Sequence, residues 1–222
     1  MDLHFMYEQL PLYIEAAKLT VHMAALGIAA AVLTGLVCSM VRYFHIPVLG
    51  QLAGGYIELS RNTPLLIQLF FLYFGLPKLG IVLSAESCAV TGLGFLGGSY
   101  MAEAFRSGLE NVPHVQTEAA LSLGMKRGQV FRYIVLLQAV SNSIPALCAN
   151  TVFLIKETSV FSAVALADLM FVTKDLIGIY YKTDEALFLL VAAYCILLLP
   201  VSAVCAFAEK RIRYAEYGKG RS

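Results

Sequence analysis

Charge is what this chain has least of. Only 14% of its 222 residues are Asp, Glu, Lys or Arg while 59% are hydrophobic, and a water-soluble domain carries about a quarter charged residues. The surplus apolar surface must therefore face something other than water. Also missing is any CxxC or Cys/His spacing: Cys38, Cys88, Cys148, Cys195 and Cys205 sit mostly inside apolar runs, so they read as packing residues, and neither a metal site nor a disulfide framework is expected. No G-x-x-x-x-G-K-[ST] run occurs, and the polar segments are too short to fold into a nucleotide-binding domain. The chain is accordingly not expected to be an enzyme. No internal repeat and no low-complexity linker interrupts it, so residues 1–222 read as one domain.

What is present is a series of apolar runs. A window of about 20 residues, the length that crosses the hydrocarbon, finds them at Leu19 to Val41, Ile57 to Phe74, Leu83 to Ala102, Ala139 to Met170 and Ala186 to Ala208. The pattern predicts an all-α integral membrane protein of about five transmembrane helices. The fourth run exceeds the ~25 residues that a tilted span accommodates, so it must be bent, broken or partly outside the bilayer. Residues 1–18 carry Asp2, Glu8, Glu15 and Lys18; they are too polar for a signal core and predict a short interfacial helix. Basic residues set the orientation. Arg42, Arg106, Lys126, Arg127, Arg132, Lys210, Arg211, Arg213, Lys219 and Arg221 fall on one side of the membrane, and Lys18, Lys78, Lys174 and Lys182 on the other. The positive-inside rule then places the amino terminus outside and the basic tail, 209–222, in the cytoplasm.

The one substantial cytoplasmic segment, 107–136, has an internal grammar. Pro113 suits an early helical position, His114 to Leu123 contains neither Gly nor Pro, and Gly124 is a natural stop. A helix of about three turns is expected there, followed by an amphipathic return beginning at Lys126 and Arg127, with Val130, Phe131 and Ile134 at helical spacing. Small residues four apart, Gly50 with Gly54 and Gly94 with Gly98, are expected to let helices approach closely.

Ionisable residues inside apolar runs are expensive and mark candidate sites. Arg61 is followed by Asn62, Thr63 and Pro64, with Gln68 seven residues on, two turns along the same helical face. Pro64 removes a backbone donor and tends to open the helix. The plain alternative is that Arg61 snorkels to the interface. Lys156 and Glu157 lie in the overlong fourth run, followed by Thr158 and Ser159, whose hydroxyls suit a helix break. The plain alternative there is mutual neutralisation. Arg61 with Glu157 would offer a zwitterion a cation for its carboxylate and an anion for its ammonium. Glu103 and Arg106 read as a local ion pair, His4 and His22 as interfacial or packing residues, and Asp168 as either a pore group or a helix cap.

Glu118, Ala119 and Ala120, then Gly124, then Ile134 and Leu136 at fixed spacing resemble the EAA loop, the shared signature of permease subunits of bacterial ABC importers. One element departs from that pattern, Leu137 standing where the family has proline. The stretches YIELSRNTPLLIQLFFLYFGLP, SYMAEAFRSG and KETS are similar to motifs of the polar amino acid branch of that family, so the likeness covers nearly the whole chain. The resemblance implies a type I importer permease fold with a cytoplasmic coupling helix, in which Glu118, Ala119, Ala120 and Gly124 dock a separate ATP-binding subunit that holds ATP and Mg. It further implies a second permease copy or homologue, an extracytoplasmic amino-acid-binding protein, a bacterial cytoplasmic membrane, and an amino acid substrate bound by Arg61, Asn62, Thr63, Gln68, Lys156, Glu157, Thr158 and Ser159. No cofactor in this chain and no nucleic acid partner is expected. An ion-gradient-driven transporter or channel is the rival, and it would predict an inverted repeat.

Overall fold

In the structure, a computed structural model, residues 1–217 are described, with side chains through Ile212. Of the basic tail expected at 209–222, Lys219 and Arg221 lie outside the described residues, and so does the side chain of Arg213. Helix α1 spans Leu3–Tyr43, opened by the Asp2 carboxylate, which accepts from the Phe5 N–H. At about 1.5 Å per residue it is roughly 60 Å long, twice the ~30 Å hydrocarbon thickness. The interfacial helix expected at 1–18 is therefore not a separate element but the continuous first part of α1. Its polar residues sit among Phe5, Met6, Tyr13 and Ala16, which are buried against the last helices of the chain, and that packing carries the helix past Pro11.

His45 turns the chain at a left-handed φ of 52°, and Pro47 opens α2, Pro47–Arg61. The second apolar run is interrupted as Pro64 demands: α2 stops at Arg61, and α3, Leu65–Phe70, restarts beyond the proline before loosening through a π-helical turn to Gly75 and a 3-10 turn to Leu79. Helix α4, Ala85–Glu110, is capped by Ser84. Helix α5, His114–Ser122, packs at one end of the bundle through Ala120. A short α6, Arg127–Val130, runs through a π-helical turn into α7, Leu136–Glu157. The α-helical hydrogen bonding of the fourth run ends at Glu157, close to where Thr158 and Ser159 suggested, and a 3-10 turn continues to Val164. The chain reverses only at Ala165, φ 57°. Asp168 then caps α8, Leu169–Tyr180, through the Phe171 N–H, the capping alternative raised for it. Helix α9, Thr183–Tyr217, completes the chain.

Five spans result: α1, α2 with α3, α4, α6 with α7, and α9. Among the described residues three continuous stretches are long and apolar enough to cross a membrane unaided, Leu3–Tyr43, Arg127–Val164 and Thr183–Ile212. The other two are a broken helix and a glycine-rich one at the centre of the packing. Around α4 lies the main core, with Leu93, Leu96 and Met101 against Ala31 of α1, Leu69 of α3, Leu154 of α7 and Phe161. The glycines of α4 make this approach possible. A Cβ at Gly97 would lie 2.7 Å from both the Ala31 Cβ and the Leu154 Cδ1, and one at Gly94 would lie 3.0 Å from the Ala30 Cβ. Gly50 and Gly54 differ from expectation: a Cβ at either meets nothing within 4 Å, because among the described residues no other helix covers that face of α2. Much of α9 also presents large apolar side chains outward, including Val191, Ile196, Leu199 and Val204. A helix with that surface is stable beside lipid or a partner helix rather than water.

Candidate functional site

The residues singled out in the sequence lie at two places, one at the α5 end of the bundle and one around the break in the second span. Helix α5 begins at Pro113, whose fixed φ and missing N–H suit a helix entry. At its far end the Gly124 N–H donates to the Leu121 carbonyl and the Met125 N–H to the Ala120 carbonyl, with Gly124 at φ 85°. These two bonds and the left-handed residue form a Schellman stop, the sharp reversal expected of Gly124. Glu118 and Ala119 are exposed. Ala120 is not the surface residue it was expected to be: it is 3% exposed and packs with Leu109, Val112, Val130 and Ala139, anchoring α5 to the bundle. The outer face of α5 instead offers Glu118 and Ala119 flanked by Val115 and Leu123, which are 73% and 85% exposed. Val115 and Leu123 are surface features that the motif alone did not single out. Leu137 continues the helix where the family pattern has proline, and the loosened turn lies just before it, at Phe131–Val135.

At the second place the polar residues divide into two groups. Asn62, Thr63 and Gln68 close the broken helix. The Asn62 Nδ2 donates to the Glu58 carbonyl (2.8 Å), the Thr63 Oγ1 to the Leu59 carbonyl (2.8 Å), and the Gln68 Nε2 to the carbonyls of Ser60 (3.2 Å) and Thr63 (3.0 Å). Because the helix stops between them, Arg61 and Gln68 do not continue one helical face, and that expectation is corrected. Gln68 is 9% exposed and its Oε1 is buried with no partner among the described residues. It borders a mostly apolar groove of about 400 Å³ with Thr63, Ile67, Thr91 and Phe95.

Arg61 points elsewhere. Its guanidinium carbon lies 5.2 Å from the centre of the Tyr100 ring, within cation–π range, and its Nη1 is 3.9 Å from the Glu103 Oε2. Glu103 is also held by Arg42, Nη1 to Oε1 at 2.9 Å, and by Arg106, Nη2 to Oε2 at 2.7 Å. The local Glu103–Arg106 pair expected from sequence is thus part of a larger network joining α1, α2 and α4, and the network was invisible in the spacing. No ion pair joins Arg61 to Glu157 among the described residues. Lys156 is exposed and Glu157 half-buried at the end of α7. Tyr100 links the two regions, its ring 5.1 Å from that of Phe153 on α7 and its carbonyl accepting from the Asn150 Nδ2. Thr158 is fully buried, its Oγ1 donating to the Ile155 carbonyl and lying 3.4 Å from the Tyr194 hydroxyl, while Ser159 is half-buried.

Comparison with known proteins gives the arrangement a family. The chain is 40% identical over 161 residues to the probable amino-acid permease protein YxeN of Bacillus subtilis, covering 71% of this chain and 72% of that one. It is 35% identical over 151 residues to a probable glutamine ABC transporter permease of the same organism, covering 68% and 69%. A crystal structure described as an amino acid ABC transporter with histidines superposes with a TM-score of 0.90 at 31% identity, covering 95% of this chain and 99% of that one. Residues 20–214 match the family described as the inner membrane component of binding-protein-dependent transport systems, and the chain belongs to that family.

Proposed function

We propose that this chain forms half of the translocation path of an ATP-driven importer for a polar amino acid, with its amino terminus outside and its α5 end in the cytoplasm. The observation that carries this reading is α5 itself: a short helix held across the bundle end by Ala120, closed by Gly124, and presenting Glu118, Ala119, Val115 and Leu123 outward. An apolar surface with one carboxylate fits a groove that has an apolar floor and a basic partner residue. The partner is a separate ATP-binding subunit, which supplies ATP and Mg2+. A second permease copy or homologue completes the path, and an extracytoplasmic binding protein delivers the substrate. Closure of the ATP-binding subunits moves the paired permeases between outward-open and inward-open states, so transport is differential binding in two conformations.

Within the path, Arg61 receives the substrate carboxylate, and Lys156 and Glu157 with Ser159 meet its remaining polar groups. Asn62, Thr63, Gln68 and Thr158 contribute chiefly by closing the helix ends that hold those groups. The names of similar proteins make L-glutamine the first substrate to test.

The deciding experiment reconstitutes the chain with its ATP-binding subunit and binding protein in proteoliposomes and follows labelled L-glutamine, L-histidine, L-cystine and L-glutamate. Uptake of one of them is expected only with ATP inside, and an imposed proton or sodium gradient does not replace it. Gradient-driven uptake without ATP would overturn the assignment.

A further inference from the structure

The charge around Glu103 does not balance. Arg42, Arg61 and Arg106 surround Glu103, and Arg106 also binds Glu110 through its Nη1, so three guanidiniums meet two carboxylates. The surplus positive charge falls on Arg61. Both Glu103 oxygens are already taken, Oε1 by Arg42 at 2.9 Å and Oε2 by the Arg106 Nε and Nη2 at 3.1 and 2.7 Å. At 3.9 Å from Oε2, Arg61 is close enough for Coulomb attraction and too far for a hydrogen bond. It makes no hydrogen bond among the described residues, so all its N–H donors are open. What holds it is the Tyr100 ring face and the pull of a carboxylate that is bonded to others.

The two ends of this contact belong to parts of the bundle that are packed differently. Glu103 stands on α4, locked to α1 by contacts that leave no room for a Cβ at Gly27, Gly35 or Gly97. Arg61 is the last residue of α2, beside the Asn62–Pro64 break and below the uncovered Gly50 and Gly54. An anion that engages Arg61 therefore acts across the seam between a tight helix pair and a loosely covered helix.

We propose that Glu103 is a placeholder for the substrate carboxylate: it holds Arg61 at the seam while the site is empty and gives it up when an α-carboxylate arrives. The incoming group can accept two parallel hydrogen bonds from the planar fork, which Glu103, with three of its about four acceptor sites already used, cannot. Exchange therefore removes the Arg61–Glu103 contact from the α2–α4 seam when substrate is bound, while the Tyr56 and Ser60 hydrogen bonds to the Phe95 carbonyl remain, and the return of Arg61 to Glu103 helps expel the carboxylate. Glu103 is a positioning residue that never touches substrate. The inference rests on the assignment of Arg61 to the carboxylate.

Direct binding of labelled L-glutamine to the purified permease and ATP-binding subunit complex, without the binding protein, tests the exchange, with maximum uptake rate measured in proteoliposomes. Removing the competitor in Glu103→Gln is expected to tighten the dissociation constant about tenfold, the loss of one charged competitor, and to lower the maximum rate. L-glutamine α-amide, which lacks the carboxylate, should show no such gain. Glu103→Asp, which keeps the charge but draws it back, should give a smaller gain of the same sign, and it decides the matter if the Gln variant does not fold. A purely structural Glu103 would instead weaken binding and lower the melting temperature together. Binding unchanged or weakened in a folded variant, or an equal gain for the α-amide, overturns the exchange. Arg61→Lys separates the two levels: if it leaves binding and uptake within about twofold of the parent, where loss of a charge-assisted contact predicts tenfold or more, the site assignment itself falls. If it weakens binding while Glu103→Gln brings no gain, the site stands and the exchange falls.

Discussion

Gly94 and Gly98 on α4 and Gly50 and Gly54 on α2 share one sequence spacing and have opposite surroundings. On α4 every added methyl would meet another helix, at 3.0 Å from the Ala30 Cβ for Gly94 and 2.5 Å from the Tyr56 hydroxyl for Gly98. On α2 the same addition meets open space. In lipid the apolar effect does not distinguish helix–helix contact from helix–tail contact, so close backbone approach and side-chain hydrogen bonds supply the specificity. The α1–α4 pair has both: glycines at the crossing and the Arg42–Glu103 pair at one end. Helix α2 has hydrogen bonds to α4 through Ser60 and Tyr56, each reaching the Phe95 carbonyl, but among the described residues no helix lies over its glycine face. The bundle is thus a tight frame with a broken, partly uncovered second span.

The sharpest way to break this contrast is to place the same methyl on both sides. Gly97→Ala pushes a Cβ to 2.7 Å from the Ala31 Cβ, which the backbone of α1 holds in place; overpacking of this kind costs about 1–3 kcal/mol. Gly54→Ala meets nothing and replaces a poor helix former, so it should stabilise the single chain by up to ~1 kcal/mol. Thermal unfolding of the detergent-solubilised chain should show a fall for Gly97→Ala and a small rise for Gly54→Ala. Measured in the assembled transporter, a fall for Gly54→Ala would mean that a second permease covers α2 there.

At the α5 end the frame meets its proposed partner, and Gly124 contrasts with the core glycines in the opposite sense. Its Cβ would be free of neighbours, but its φ is 85°. Gly124→Val therefore carries a backbone penalty alone, about 1–2 kcal/mol for a left-handed residue, and more for a β-branched one. The variant should reach the membrane at normal levels and lose most ATP-driven uptake, whereas Gly124→Asn, which tolerates this region, should keep much of it. Normal uptake by the valine variant would remove the turn from coupling.

How far the sequence could be read follows the same division. The helix His114–Ser122, its stop at Gly124 and the interrupted second and fourth runs were legible because each is a local matter of Pro, Gly and period. The merging of residues 1–18 into α1 was not, because its cause is remote: Tyr13 donates to the Ala186 carbonyl and pairs with the Thr173 hydroxyl, more than 150 positions away. The partners of Arg61 were hidden for the same reason, since Tyr100 and Glu103 reach it only through the register of α2 on α4. Ala120 was misplaced because a motif gives residue types and not the face each one turns inward.

A smaller effect separates the two candidate polar positions at the end of α7. Lys156 is exposed and Thr158 is 0% exposed, one hydroxyl bond from the Ile155 carbonyl. With the five native cysteines replaced, a cysteine at Lys156 should react readily with a small water-soluble thiol reagent, and one at Thr158 should react at least about tenfold more slowly, since reaction needs an accessible thiolate. Equal rates would show that the 3-10 segment opens to water. Protection of both would place the end of α7 against lipid or a second subunit, outside any aqueous path.

The smallest expected effect lies at the end of the bundle opposite α5, where the first residues of α1 are tied to the start of α9. The Asp2 N–H donates to the Glu185 Oε1 at 2.8 Å, and the Lys182 Nζ donates to the Asp2 Oδ2 at 3.1 Å. The Asp2 carboxylate is held below its ordinary pKa first by the Phe5 N–H and then by Lys182. This group binds its proton less readily folded than unfolded, so its contribution is complete above the ordinary carboxylate range of about 4 and is lost as the pH falls through the lowered value. Amide exchange in the first two turns of α1, compared at matched intrinsic rates, should therefore be unchanged from pH 7 to 5 and accelerate below about 4. Asp2→Asn should show the faster exchange already at neutral pH, while the α1–α4 crossing at Gly97 stays protected throughout. Acceleration at both places together would mean that the amino-terminal half of α1 is not an independently opening unit but unfolds only with the frame.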